Sequence, residues 1–304
     1  MDTKITKRLK AGLTLAGLLL LPLSQALAVP SFARQTGQSC AACHTVFPQL
    51  TEFGRQFKLN GYTMISSTVG QGPQLQEGQF PPLSAMLQIS DTFTKKAQPD
   101  SQNGTVQFPD QLSVFYAGRI SNQLGAFMQI TYDGVDDHFG MDNTDIRFAN
   151  QTTLGGKSLV YGATLNNNPG VADLWNSTPA WGFPYASSSV APAPTAATLI
   201  DGTLGQQVAG LGALAYWDNF LYGQVNLYRS SQIGADQPAN ATSEDVVDGA
   251  APYWRFAVNH TWNGVHNLMV GTYGLDAKLY PNGVTGPTNE FRDIAVDTQY
   301  QYIS

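Results

Sequence analysis

Charge is scarce in this chain. Of its 304 residues only 12% are Asp, Glu, Lys or Arg, about half of the roughly 25% that an ordinary soluble domain carries. A disordered chain needs more charge than this. A nucleic-acid binder needs a basic surface, whereas here 22 acidic residues face 16 basic ones. Long apolar runs are missing too. The only one lies between Ala11 and Leu23, and no later stretch approaches the ~20 residues of a spanning helix, which excludes an ordinary helical membrane protein. Hydrolytic and transferase chemistry have no foothold either. No Gly-rich phosphate loop precedes a helix, no nucleophile elbow occurs, and the 4 histidines are scattered.

What is present begins with a leader. Lys4, Lys7, Arg8 and Lys10 form a positive stretch, Leu13 to Leu23 an apolar core, and Ala26-Leu27-Ala28 a small-residue cleavage site. Together they predict a secretory signal peptide over 1–28. Cleavage after Ala28 leaves 12 basic and 21 acidic residues, a net charge of −9. An exported acidic chain has no use for phosphate backbones.

Both cysteines fall in Ser39-Cys40-Ala41-Ala42-Cys43-His44. C-x-x-C-H is the attachment signal for a c-type haem. Two thiols form thioethers to the two vinyl groups, and the adjacent imidazole reaches the iron as its proximal ligand. A redox disulfide between Cys40 and Cys43 wants a thioredoxin-like βαβ context, and a structural zinc wants four ligands; neither is found nearby. The expected cofactor is one covalently attached haem, held by Cys40, Cys43 and His44.

A short helix is expected next. Pro48 suits its first turn and Asn60-Gly61 its end. Between them Leu50, Phe53 and Phe57 recur at i, i+3 and i+7 as an apolar stripe, extended by Phe47 and Tyr62. Arg55 and Lys58 fall elsewhere on this helix, as propionate partners or as solvated charges. Met64 is the candidate distal iron ligand, with His138, His260, His266 or no protein ligand as the alternatives.

From residue 84 onward the pattern alternates with period two. Segments near 84–94, 108–121, 124–133, 143–153, 157–166, 205–217, 219–230, 251–262, 266–277 and 291–303 read as antiparallel strands. One face of the second carries Leu112, Val114, Tyr116 and Ile120, the other Ser113, Phe115, Ala117 and Arg119. The last sets Ile294, Val296, Tyr300 and Tyr302 against Asp293, Asp297, Gln299 and Gln301. A soluble sandwich also alternates in this way.

The connections carry more information. Those near Ser121 to Leu124, Leu154 to Lys157, Trp217 to Asn219 and Trp262 to His266 are short, the last holding the hairpin pair Asn263-Gly264. Those over 95–107, 134–142, 167–204, 231–250 and 278–290 read as long. Alternating short and long connections are the signature of an outer-membrane barrel. Tyr216, Trp217, Phe220, Tyr222, Trp254 and Trp262 are expected near the short turns as an interfacial girdle. The 167–204 insertion, with Trp175, Trp181 and several prolines, is expected to fold inward as a constriction or to remain an exposed loop. Asp133, Asp136, Asp137, His138 and Asp142 form an acidic cluster that either collects cations or is simply solvated. Ten strands make a narrow lumen, and the chain stops at Tyr302-Ile303-Ser304, so further strands are expected to complete the wall.

Gly37-Gln38-Ser39-Cys40-Ala41-Ala42-Cys43-His44-Thr45-Val46-Phe47-Pro48 and Phe53-Gly54-Arg55-Gln56-Phe57-Lys58-Leu59-Asn60-Gly61-Tyr62 resemble the amino-terminal segment of outer-membrane monohaem cytochrome–porin fusions. The match covers residues 30–64, and the rest agrees in architecture. The resemblance implies haem attachment at Cys40 and Cys43 with His44 on the iron, a barrel that carries the group in or near its mouth, and a part in extracellular electron transfer such as oxidation of ferrous iron. The expected organisation is a signal peptide over 1–28, a monohaem cytochrome segment over 29–66, a linker over 67–83 and an antiparallel β-barrel over 84–304. The haem segment enters from the periplasmic side of the outer membrane. A periplasmic electron carrier, an external donor or acceptor and membrane lipid are the expected partners, and nucleic acid is not one. The chain is expected to carry electrons rather than to act as an enzyme, with iron oxidation implied by resemblance alone. The alternatives are a passive porin with a structural or sensory haem plug, and a soluble periplasmic haem protein with a β domain.

Overall fold

The computed structural model describes residues 29–45, 48–66, 81–93, 95–96, 104–134, 137–176, 199–200, 204–230 and 245–303. The expected leader, most of the linker, and Phe47, Asp136 and Trp181 lie outside them. Three short helices come first, α1 (Pro30–Thr36), α2 (Cys40–Cys43) and α3 (Glu52–Leu59). Strands follow as β1 (Leu83–Thr92), β2 (Thr105–Arg119), β3 (Leu124–Asp133), β4 (His138–Leu154) and β5 (Lys157–Asn166). After the short helix α4 (Pro169–Ala172) come β6 (Val208–Trp217), β7 (Leu221–Ser230), β8 (Asp245–Val247), β9 (Ala251–Trp262), β10 (His266–Pro281) and β11 (Asn289–Tyr302).

The fold is all-β and antiparallel, with each long strand beside its neighbour in the chain from β1 to β11. All ten expected strands form. The three-residue connection 263–265 places Asn263 and Gly264 at positive φ, 53° and 71°, as a type I′ turn requires. The short strand β8 was not anticipated; it pairs with the far end of β10, Leu279 opposite Val247, so that β7 pairs directly with β9.

Two connections expected to be long are shorter. β4 already begins at His138, opposite Asp133, which leaves only 134–137 between β3 and β4. The connection after β10 shrinks to 282–288, because cross-strand ion pairs carry the ladder outward: Lys278 to Glu290 at 2.7 Å and Arg292 to Asp276 at 2.7 Å. Charge reads as loop in a sequence, yet opposite charges facing one another across two strands favour pairing.

The two faces of the sheet are inverted relative to a water-soluble β protein. Leu112, Val114, Ile130, Leu211, Val225, Phe256, Ile294 and Val296 point outward and are exposed, Val296 to 78%. The opposite face carries Ser113, Thr131, Asp145, Arg147, Thr164, Asn166, Gln224, Asn226 and Arg255, all buried. This inner face wraps the helices. Ser31 N–H donates to Ser84 Oγ on β1 at 3.0 Å, Tyr62 OH donates to Asp145 Oδ2 on β4 at 2.6 Å, and Arg55 Nη1 donates to Gln301 Oε1 on β11 at 2.8 Å. A segment that touches the first, a middle and the last strand is enclosed by the sheet. Among the described residues β1 and β11 are not paired with each other.

The helices sit at the short-turn end. Gln56 Nε2 donates to Asn219 Oδ1 at 3.0 Å in the β6–β7 turn, and Arg55 Nη2 to Asn267 Oδ1 at 2.9 Å at the start of β10. Part of the expected aromatic girdle is there on the outer side: Trp262 stacks on His266, ring centroids 5.1 Å apart, and Phe220 is exposed. Tyr216 and Tyr222 instead face inward and are buried. Trp254 lies near the opposite end of β9, where it pairs with Val225 and Gly274. The side-chain period of two decides inside from outside, and proximity to a turn does not.

Candidate functional site

The C-x-x-C-H segment is one turn of helix folded back on α3. His44 N–H donates to Cys40 O at 3.0 Å, closing the turn, and Thr51 N–H donates to Cys43 O at 2.9 Å. Thr51 is the N-cap of α3: its hydroxyl accepts from Gly54 N–H at 3.1 Å and donates to Ala42 O at 2.5 Å. α3 therefore starts at Glu52, four residues beyond the expected Pro48. The approach of the two helices is so close that a Cβ on Gly54 would lie 2.3 Å from Cys43 O. Only glycine allows this contact.

Around Cys40, Cys43 and His44 lies a cavity of about 960 Å³, including the part that opens to solvent. α1 contributes Val29, Phe32 and Ala33 to its lining, and α3 contributes Gly54, Phe57 and Lys58. The wall adds Phe115 from β2 with Phe127 and Gln129 from β3, and the segment around α4 adds Val171 and Asn176. The rings pack on one another: Phe32 meets Phe57 edge-on at 4.9 Å and stacks on Tyr62 at 5.4 Å between centroids. Such a lining favours a large, mostly apolar group.

Burial sets the protonation of the three motif residues. It pushes the Cys43 thiol up to about 11, with the neighbouring Cys40 adding to the shift, and it raises Cys40 as well. Burial pushes the His44 imidazole down to about 4, against hydrogen bonds to the backbone of Gln49 and Pro48 and with the Lys58 charge adding. His44 is thus neutral across the physiological range, the form that binds a metal.

Arg55 and Lys58 are both buried rather than solvated. Arg55 reaches the wall and also donates to Leu50 O at 2.7 Å. Burial lowers it to about 10, with Tyr216 and Glu52 opposing. Lys58 lines the cavity, its Nζ donating to Asp173 O at 2.6 Å and to Asn176 Oδ1 at 2.7 Å. Burial first, then the Arg147 charge, lower it to about 7, opposed by Asp145 and Asp173. Met64 is half-buried and packs against the cluster of Phe57, Tyr62, Phe115 and Phe127, but it is outside the cavity lining. His138, His260 and His266 lie on the strands, away from the cavity. The acidic cluster is dispersed: Asp142 accepts from Thr131 and Gln206, Asp137 accepts from Tyr132, and no group of metal ligands forms among the described residues.

Residues 168–176 of the long insertion fold inward, as one of its two expected forms requires. Asp173, Leu174 and Trp175 are fully buried. Asn176 Nδ2 donates to Pro48 O at 2.9 Å, and Arg255 joins Asp173 at 3.2 Å to Asp297 at 2.5 Å. Beyond this a hydrogen-bonded ladder crosses the interior. It runs from Tyr222 OH to Gln224, from Gln224 to Asn226, from Asn226 to Tyr228 OH, and from Tyr228 OH to Asn166. From Asn166 it passes to Thr164 and then to Asp145, which also takes the Tyr62 hydroxyl and pairs with Arg147 at 3.0 Å.

Sequence reasoning missed Gly54, Phe32, Gln129 and the α4 residues as parts of the site. The inward face of β2 was legible from its alternation, so Phe115 was within reach; the contribution of a distant loop was not. Compared with known protein families, with curated proteins and with solved structures, the chain matches none. The donor set and the cavity are suited to a haem: two thiols and a neutral imidazole on one side, aromatic hydrocarbon around the rest, and a lysine ammonium for a carboxylate.

Proposed function

We propose that this chain is a monohaem electron-transfer protein of a bacterial outer membrane. The observation that carries this reading is the placement of Cys40, Cys43 and His44 in the lining of an apolar cavity inside a sheet that is apolar outside and polar within. Exposed Leu, Val, Ile and Phe along every long strand suit lipid rather than water, which counts against a soluble periplasmic protein. The inner side chains count against a passive porin. Asp145, Arg147, Asp173 and Arg255 are 0% exposed, so the part of the interior they occupy is packed with side chains rather than open to water.

In this reading Cys40 and Cys43 would hold haem c covalently and His44 would bind its iron. When bound, the group supplies reversible one-electron chemistry. Phe57, Phe115 and Phe127 keep water from it. Lys58 offers a counter-charge to a propionate, and the Arg55, Lys58 and Tyr62 contacts fix the segment to the wall. A hydrocarbon layer of ~30 Å separates an external donor from periplasmic carriers, and a redox group fixed within a lipid-embedded wall bridges part of that distance. The direction proposed is from an external donor, such as ferrous iron, to a periplasmic carrier, with the helices on the periplasmic side.

The test is a pyridine haemochrome and redox titration on the outer-membrane fraction, followed by stopped-flow mixing of the purified protein with ferrous iron. One c-type haem per chain in that fraction, reduced by the donor, is the expected result. A haem that stays oxidised with every external donor removes the conduit; a colourless chain removes the cofactor.

A further inference from the structure

Among the described residues, His44 is the one histidine or methionine that lines the cavity. Outside the leader, the chain has the methionines Met64, Met86, Met128, Met141 and Met269 and the histidines His44, His138, His260 and His266. All are among the described residues, and only His44 lines the cavity. Met269 is fully buried at Arg255 Nη2, 3.6 Å away, and Met141 faces outward and is exposed.

The buried polar groups of the lining are also engaged. The Thr36 hydroxyl donates to Phe32 O at 2.8 Å. The Tyr62 hydroxyl donates to Asp145, and the Lys58 ammonium donates to Asp173 and Asn176. Both protons of the Gln129 amide are accounted for, its Nε2 lying 3.1 Å from Ser113 Oγ and 3.0 Å from Thr131 Oγ1. The rest of the lining is mostly hydrocarbon, with Phe32, Phe115, Phe127, Val29, Ala33 and Val171, and with Gln38 and Ser39 beside the motif. An amide or hydroxyl that already has its partners does not turn to a new ligand without losing them.

Resting on the haem reading above, we infer that this cavity is a binding site for a neutral diatomic ligand, carbon monoxide or nitric oxide, at the face of the iron opposite His44. A largely hydrocarbon lining accepts such ligands. The protein would then sense or be inhibited by these gases, in addition to passing electrons.

The experiment uses the full haem-loaded chain in detergent. The dithionite-reduced protein is expected to be high-spin by resonance Raman and to give a Soret shift with CO. Met64→Ala is expected to leave spin state and CO binding unchanged. Ala33→Phe, which fills the cavity from α1, is expected to abolish or slow CO uptake while the pyridine haemochrome still reports one haem. Val171→Phe repeats that test from the α4 side should the first variant not fold. A red protein that is low-spin and inert to CO overturns this inference alone. So does a switch from low to high spin in Met64→Ala, or unaltered CO uptake in both filled variants. A colourless chain overturns the haem reading and this one together.

Discussion

The interior has two regions of opposite character within a few residues of each other. At the short-turn end the cavity beside His44 is walled by Phe32, Phe57, Phe115 and Phe127. Deeper in, Asp145, Arg147, Asp173, Arg255 and the Tyr222-to-Asp145 ladder form a continuous bonded array. Hydrocarbon suits an occupant that is itself apolar and arrives from elsewhere. A bonded polar array suits a structure that admits little, because most of its groups already have partners, Arg147 Nε and Nη1 being exceptions among the described residues. The contrast assigns reception to one region and sealing to the other.

The largest expected effect separates the two. Replacing both thiols, Cys40→Ala with Cys43→Ala, should abolish covalent haem entirely while the wall still folds, read as loss of the haemochrome with unchanged far-UV dichroism. Covalent haem retained in that variant would contradict the reception assignment. Next comes the seal. Arg255→Met leaves the buried Asp173 and the partly buried Asp297 carboxylates without their shared cation, a loss on the order of 3–5 kcal/mol. A shifted urea midpoint with haem content intact is the expected pattern, and an unmoved midpoint would show that the array does not stabilise the fold.

Lys58 belongs to both regions. Its folded value near 7 lies below the ordinary 10.5, so the unfolded chain binds the extra proton between these values. Stability therefore rises as pH increases from about 7 to 10.5 and is flat below. Lys58→Met should remove that slope from a plot of denaturant midpoint against pH, and a slope that survives assigns it to another group. Tyr62→Phe should cost roughly 1–3 kcal/mol by withdrawing one donor from Asp145, with the haem spectrum unchanged. The smallest effect calibrates the rest. Lys157→Ala breaks an exposed pair with Asp218, both partners in solvent, and should change the midpoint by less than about 1 kcal/mol.

The wall was largely legible because a period of two is written residue by residue. Leu112 and Val114 outside, Ser113 and Phe115 inside, fall as the sequence pattern requires. β8 and the outer ends of β4, β10 and β11 were not legible, since pairing there depends on partners such as Glu290 for Lys278 that a local pattern does not reveal. In the site, Cys40, Cys43 and His44 announce themselves by spacing. Gly54 does not, because its role lies in a carbonyl of Cys43 eleven residues earlier. Nor do Val171 and Asn176, which reach the cavity only because the β5–β6 connection turns inward. Arg55 and Lys58 read as solvated because the helix was considered alone; inside an enclosing sheet every side of a helix has a neighbour.

The bond from Arg55 to Gln301 joins positions 246 apart in the chain. Closing so large a loop repays its entropy only when the intervening strands already stand. On the proposed reading, a haem would be joined to the two thiols before the final hairpin closes over them, and the finished chamber would need no opening wide enough to admit it.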